Sequence, residues 1–179
     1  FETIISAVGI LTLLIALFFL IIKFPPPKQS EGVSLKETLK LAGNGSLLLI
    51  AFFLFFQSGF EGIINNWTTT YMISRLGVEQ STALFALTLF VGGLVAMRLI
   101  TGSLFRGFTP LRLLIITFSL IVAGLLIMNF SQSYLFSVAG LILLGAGLAG
   151  GFPIMLGIAG ELFAGLSGTA FSIIFFIAL

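Results

Sequence analysis

A polar stripe inside a strongly apolar segment is the part of this sequence that carries the most chemistry. Gln57, Glu61 and Asn65 stand four residues apart in the run FQSGFEGIINNWTTTYM, and that spacing places them on one face of a helix. An ionised carboxylate that faces lipid near the middle of a membrane span costs several kcal/mol. Glu61 is therefore predicted to face the interior of a helical bundle, a water-filled cavity or a partner, or else to be protonated.

The stripe has two interpretations. Its side chains contact a solute, or they form hydrogen bonds that only hold helices together; an ionisable group inside a membrane favours the first. Amides and aromatic rings on one helix suit a polar, ring-shaped solute, so six residues are predicted to bind it: Gln57, Glu61, Asn65, Asn66, Trp67 and Tyr71. Trp67 and Tyr71 also stand near the end of the segment, where an aromatic belt at the outer membrane interface would place them.

Further polar and helix-breaking residues interrupt the other apolar segments. Arg98 either pairs with an acid or extends its side chain to the nearby membrane surface. Glu161 is either a gate or loop anchor, or an ordinary solvated carboxylate at a helix end.

Gly150, Gly151 and Pro153 stand together in one segment and predict a kink that moves. The run GAGLAG, which ends at Gly150, matches a dinucleotide-binding fingerprint in letters only, because no strand precedes it. In a membrane span such glycines allow close helix packing.

Composition places this chemistry in a membrane. Of the 179 residues, 59% are hydrophobic and only 8% are charged, whereas soluble domains carry about 25% charged residues. Aspartate, histidine and cysteine do not occur in the sequence, which removes disulfides, thiolate nucleophiles, histidine-based triads and most transition-metal sites. We therefore expect no enzyme activity, no metal and no cofactor. The scattered basic residues do not predict a nucleic-acid surface either.

The apolar segments predict an all-α, polytopic membrane protein. A span needs about 20 mostly apolar residues, and five such runs occur at 3–22, 46–73, 81–104, 111–128 and 134–159, with a sixth helix beginning near Gly168. Three successive prolines end the first helix. After them, SLKETLKLA predicts a short amphipathic helix at the membrane interface, opened by a capping box of Ser34 and Glu37.

The distribution of basic residues predicts the orientation. Six of them flank two connections that alternation places on one side of the membrane: Lys23, Lys28, Lys36, Lys40, Arg106 and Arg112. Only Arg75 stands beside a connection on the opposite side. Cytoplasmic loops carry the excess of lysine and arginine, so the long linker and the loop that follows Arg98 are predicted to face the cytoplasm.

Three of these runs resemble parts of the major facilitator superfamily. The stretch GFEGIINNWTTTY is similar to the seventh helix of its fucose and glucose/galactose proton symporters, with Gly59, Glu61, Trp67 and Tyr71 at matching spacing. RLITGSLFRGFTPLRLL resembles the segment that joins helices eight and nine, and GGFPIMLGIAGELF resembles the tenth helix with its central proline. Many members carry an aspartate at the start of the loop that matches FRGFTPLR; here Arg106 stands near that place.

The resemblance implies a domain organisation. Residues 1–22 would be the last helix of an N-terminal bundle, 23–45 the central cytoplasmic linker with its amphipathic helix, and 46–179 a C-terminal transmembrane bundle that stops in its fifth helix. The chain is therefore expected to be a fragment, and the missing N-terminal bundle is an expected partner.

The resemblance also implies a function. It is the secondary active transport of a small polar solute, a sugar, with proton symport and by alternating access, in the lipid bilayer of a bacterial inner (plasma) membrane. Glu61 is the candidate for proton coupling, and an acid in the missing half is the alternative. Two other functions stay open: export of a drug or lipid through the same fold with a more apolar cavity, and a non-transporting membrane scaffold or receptor.

Overall fold

The computed structural model describes residues 2–23, 34–104 and 107–179, with only the backbone at 103 and 104. Lys28 and Arg106 therefore lie outside the described residues. The described chain is helical and contains no strand. Five of its segments are long and apolar enough to cross a membrane: Glu2–Ile21, Gly45–Leu76, Gln80–Gly102, Pro110–Phe130 and Tyr134–Leu162. The predicted all-α membrane fold is confirmed, and the span boundaries differ from the predicted ones by only a few residues.

The chain divides into two units, Phe1–Gly32 and Val33–Leu179. The first unit contains helix α1 (Glu2–Ile21), all of whose residues are exposed. A helix that is apolar all round is normally buried in a protein core or a membrane. Since α1 buries nothing within its own unit, its surface is available to lipid or to another helix.

The second unit opens with the short helix α2 (Leu35–Ala42). The Ser34 hydroxyl oxygen accepts the Glu37 N–H at 3.2 Å, and the Glu37 carboxylate accepts the Ser34 N–H at 3.3 Å. The predicted capping box is therefore confirmed. Leu41 is buried against the bundle, whereas Leu35 and Leu39 remain exposed. Helix α2 therefore keeps exposed apolar side chains, which a helix at the membrane interface requires.

Helix α3 (Gly45–Leu76) is the long helix that carries the polar stripe. At 1.5 Å per residue it is about 48 Å long, which exceeds the roughly 30 Å hydrocarbon core of a bilayer. The Asn44 side-chain oxygen caps its first turn by accepting two backbone N–H groups. Gly77 ends it in the left-handed conformation (φ 64°) that favours glycine. Residues near the middle of α3 therefore lie at the depth of the hydrocarbon core.

The remaining elements are α4 (Gln80–Leu104), α5 (Pro110–Phe130), α6 (Tyr134–Leu148), α7 (Gly151–Leu162), a 3₁₀ turn (Ala164–Leu166) and α8 (Ser167–Ala178). The predicted fifth span thus consists of two helices, α6 and α7. Pro153 has no N–H to donate to the Ala149 carbonyl, and its ring crowds that carbonyl. The regular helix therefore ends at Leu148 and starts again at Gly151.

Close backbone contact joins α6 to its neighbours, because glycines remove the side chains that would separate them. A Cβ placed on Gly93 of α4 would lie 2.5 Å from the Ile142 carbonyl oxygen, and a Cβ on Gly145 would overlap the Phe90 carbonyl oxygen. In membranes, where apolar surface gains little by leaving lipid, such close approach favours helix association. The glycines of GAGLAG therefore serve packing.

Two clusters of buried apolar side chains organise the second unit. The first joins α2, the first part of α3, α7 and α8. The second joins the end of α3 to α4, α5 and α6. Along α3, the polar stripe lies between Leu54 of the first cluster and Met72 of the second. Along the fifth span, the break between α6 and α7 separates the two clusters in the same way.

Candidate functional site

A cavity of about 390 Å³ lies beside the middle of α3, and we call it the polar cavity. Its walls come from α3, α4, α7 and the residue after α8: Ser58, Glu61, Gly62, Asn65, Arg98, Phe152 and Leu179. Glu61 stands midway along α3 (Gly45–Leu76) and is partly buried. The cavity therefore gathers a carboxylate, an amide, a hydroxyl and a guanidinium in a protein whose helices are otherwise apolar.

The hydrogen bonds of these groups leave several of them free for a bound molecule. The Asn65 Nδ2 donates to the backbone carbonyl of Glu61 at 3.0 Å, so its Oδ1 remains as an acceptor. The Ser58 Oγ is buried and has no hydrogen-bond partner among the described residues. Buried polar atoms without a partner are uncommon and call for an explanation such as a water or ligand. Within the described chain, no cluster of three acidic, histidine or cysteine side chains could hold a metal ion.

Arg98 brings a positive charge to the polar cavity from α4. The same residue lines a second, larger groove of about 710 Å³ along α4, α5 and α7, which also includes Glu161. Phe152 lines both spaces. The polar cavity and this groove therefore adjoin at Arg98 and Phe152. Arg98 thus lines both spaces, one of which also includes Glu61 and the other Glu161.

Gln57 begins the predicted stripe, but the structure does not bring it to the polar cavity. Its side chain is buried, and its Nε2 donates to the backbone carbonyl of Leu148 at 2.8 Å. It lines a separate cavity of about 250 Å³ between α3, α5, α6 and α7, whose other walls are mostly phenylalanine, isoleucine and leucine. Gln57 therefore joins α3 to the end of α6.

The other three predicted solute contacts also lie elsewhere on α3. The Asn66 Nδ2 donates to the Gly62 carbonyl at 2.7 Å. Trp67 is 64% exposed, and at 100° per residue it lies on the side of α3 turned away from Glu61 and Asn65. The Tyr71 hydroxyl donates to the Met128 carbonyl at 2.7 Å. Of the six residues, the structure brings Glu61 and Asn65 together at the polar cavity; solute binding by all six stays a prediction.

The residues predicted for the kink and the charged loop have distinct surroundings. Gly150 and Gly151 are buried at the break between α6 and α7, while Pro153 is exposed and lines the groove with Glu161. Arg112 is exposed in the first turn of α5.

Sequence reasoning missed four of the seven residues that line the polar cavity: Ser58, Gly62, Phe152 and Leu179. Ser58 precedes Glu61 by three residues, so the helical period alone would have found it. Phe152 reaches the cavity only because the fifth span breaks beside it, and no local signal marks that contact. Arg98 was predicted either to pair with an acid or to extend to the membrane surface, and its place in the wall of the polar cavity follows from the packing of α4 against α3.

Comparison with known proteins agrees with this architecture. The sequence profile described as Major Facilitator Superfamily matches residues 1–178. No curated protein and no solved structure matches the chain. The profile covers nearly the whole sequence, and the described segments include five helices of membrane-crossing length. The chain therefore belongs to the Major Facilitator Superfamily, a family of secondary transporters that reside in the membrane.

Proposed function

We propose that this chain is part of a proton-coupled carrier that moves a sugar across a bacterial inner membrane by alternating access. One observation carries the proposal. Glu61 stands midway along a membrane-crossing helix and lines a cavity together with Asn65, Ser58 and Arg98. Ionisable residues at such depth are expensive, and they usually mark a substrate or proton pathway.

The lining of the polar cavity supports a small hydroxyl-rich solute. Its volume of about 390 Å³ falls within the roughly 300–1,000 Å³ range of small-molecule sites. Each hydroxyl of a sugar both donates and accepts hydrogen bonds. Glu61 and the Asn65 Oδ1 supply acceptors, Arg98 supplies donors, and the unpaired Ser58 hydroxyl supplies either. A carrier for an apolar drug or lipid would gain little from this set, so export is the weaker alternative.

The position of Arg98 supports proton coupling through Glu61. An ionised Glu61 attracts the guanidinium that shares its cavity, whereas a protonated Glu61 does not. In the proposed cycle, protonation of Glu61 releases Arg98 toward Glu161 in the adjoining groove. Deprotonation would then return Arg98 and reset the site. The groove would be the cytoplasmic route to the cavity, since the basic residues of the linker favour that orientation.

Movement at the break between α6 and α7 would open that route. Pro153, Gly157 and Glu161 of α7 line the groove, so a swing of α7 changes its width. Residues of α7 and α8 belong to one apolar cluster, and residues of α4, α5 and α6 belong to the other; in the proposed cycle α7 moves with α8 relative to α4, α5 and α6. Residues 1–22, the linker 23–45 and an N-terminal bundle beyond this chain would complete the carrier.

The test replaces Glu61 in the full-length carrier reconstituted into liposomes. Radiolabelled L-fucose and D-galactose are the probes, and an imposed proton gradient drives uptake. Glu61→Gln keeps the shape of the side chain but removes its charge. We expect this variant to exchange labelled for unlabelled sugar, yet to lose at least tenfold of its accumulation against a gradient.

Glu79→Gln is the matched control, because Glu79 is exposed in the connection between α3 and α4; it should accumulate sugar like the parent. If the parent takes up neither sugar, the proposed solute class is wrong. If Glu61→Gln and Glu61→Ala both accumulate sugar as the parent does, Glu61 is neither a coupling residue nor a solute contact.

A further inference from the structure

The side-chain amide of Gln57 spans the break between α6 and α7. Its Nε2 donates to the carbonyl of Leu148, the last residue of α6, at 2.8 Å. Its Oε1 lies against Gly151, the first residue of α7, so closely that a Cβ on Gly151 would overlap it. Gln57 is only 9% exposed. The amide is therefore enclosed between the two half-helices.

The bond from Gln57 replaces one that the broken helix lacks. In an unbroken helix the Leu148 carbonyl would accept the N–H of residue 152. Pro153 prevents the ladder from continuing regularly across this region, and carbonyls in the last turn of a helix need partners from outside. Gln57 supplies that partner from α3, ninety-one residues away in sequence.

Only half of the amide is satisfied. The Gln57 Oε1 is buried and has no hydrogen-bond partner among the described residues, which is an unfavourable state for a buried acceptor. The first turn of α7 begins beside it and contains backbone N–H groups without helical acceptors. The Nε2 bond to Leu148 holds the two half-helices in position at the break. The Oε1 has no partner, so it can accept a bond from α7 in place of the Nε2 bond.

We propose that Gln57 is a positioning residue that latches the angle between α6 and α7. In the observed arrangement the Nε2–Leu148 bond fixes the break. When α7 swings, its first N–H groups reach the Oε1 and release Leu148. The consequence for transport rests on the proposed function, in which α7 opens the groove; the latch itself can be measured without any solute.

The test measures the distance between α6 and α7 directly. Spin labels are attached to cysteines introduced at Phe136 and Leu162, both exposed and at the far ends of the two helices, in the full-length carrier in lipid nanodiscs. Gln57→Met removes both hydrogen-bonding groups at similar size. Gly151→Ala keeps Gln57 but forces its amide away from the break. We expect each change to raise the population outside the parent's main distance peak about fivefold, as loss of one neutral hydrogen bond predicts.

Two comparisons make the result specific. Gly157→Ala is the matched control, because Gly157 lies on the same helix and a Cβ there meets nothing within 4 Å; its distance distribution should equal that of the parent. In the double variant of Gln57→Met and Gly151→Ala, the population outside the parent's main distance peak should be no larger than in either single variant, because both changes act on one latch. If Gln57→Met does not fold, Gly151→Ala carries the test with the same control.

Unchanged distance distributions in Gln57→Met and Gly151→Ala, or an equal change in Gly157→Ala, would overturn the latch. Failure of the proposed function has a different signature. If Glu61 variants accumulate sugar normally, the proposed transport site is wrong. That result would not change the distances between the labels, and the inference about Gln57 would stand.

Discussion

At the scale of single residues, the α-helical period explains why one predicted stripe divides into separate roles. Residues four apart on a helix are rotated by about 40° relative to each other. Over the two steps from Gln57 to Asn65 the stripe turns by about 80° around α3, so that Glu61 and Asn65 line the polar cavity while Gln57 reaches Leu148. Spacing alone identified the polar face, but only the neighbouring helices decide what each member touches.

Tyr71→Phe should lower the stability of the folded protein by about 1 kcal/mol and leave binding of the proposed sugar unchanged. Met128 lies in the last turn of α5 (Pro110–Phe130), where carbonyls have no helical partner, and the Tyr71 hydroxyl supplies one. Thermal unfolding of the purified protein measures the loss. Trp67→Phe is the control, because Trp67 is mostly exposed, and it should unfold like the parent. Weakened sugar binding at unchanged stability would instead make the Tyr71 hydroxyl a solute contact.

At the scale of helices, the sequence predicts the elements well and their contacts poorly. Apolar runs of about 20 residues predicted the spans, and the capping box of Ser34 and Glu37 predicted the start of α2, because these signals are local. The break in the fifth span was also visible in Pro153 and its glycines. The bond from Gln57 to Leu148 joins residues far apart in sequence, and no periodicity within either segment encodes it. The same holds for the polar cavity, where Arg98 and Phe152 come from different helices.

Two neighbouring glycines of α4 should respond in opposite ways to the same substitution. A Cβ on Gly93 would lie 2.5 Å from the Ile142 carbonyl oxygen of α6, whereas a Cβ on Gly92 meets nothing within 4 Å. Gly92→Ala should therefore hold or slightly raise stability, since alanine favours the helix. Gly93→Ala should lower it by about 1–3 kcal/mol, because the backbones of α4 and α6 must separate. Thermal unfolding of both variants tests the contact, and equal melting temperatures would contradict it.

At the scale of the second unit, the polar stripe and the break both lie where the two apolar clusters meet. The polar stripe of α3 lies between Leu54 of the first cluster and Met72 of the second. In the fifth span, Leu148 belongs to the second cluster and Ala159 to the first. A solute that binds to Glu61 and Asn65 would therefore contact the bundle at the boundary between the clusters, and that position supports the proposed coupling of binding to the swing of α7.

The orientation of the whole chain in the membrane yields the last prediction. Lys36, Lys40 and Arg112 flank the ends of α2, α3 and α5 that alternation places on one side, and Arg75 flanks the other. We expect the first side to be cytoplasmic. Single cysteines can be introduced at Lys36 and Gln132, both exposed, because the sequence contains no cysteine of its own. In intact cells, a membrane-impermeant maleimide should label the cysteine at 132 and should reach the one at 36 only after the cells are opened. The reverse pattern would invert the orientation, and the groove lined by Arg98 and Glu161 would then lead to the outside of the cell.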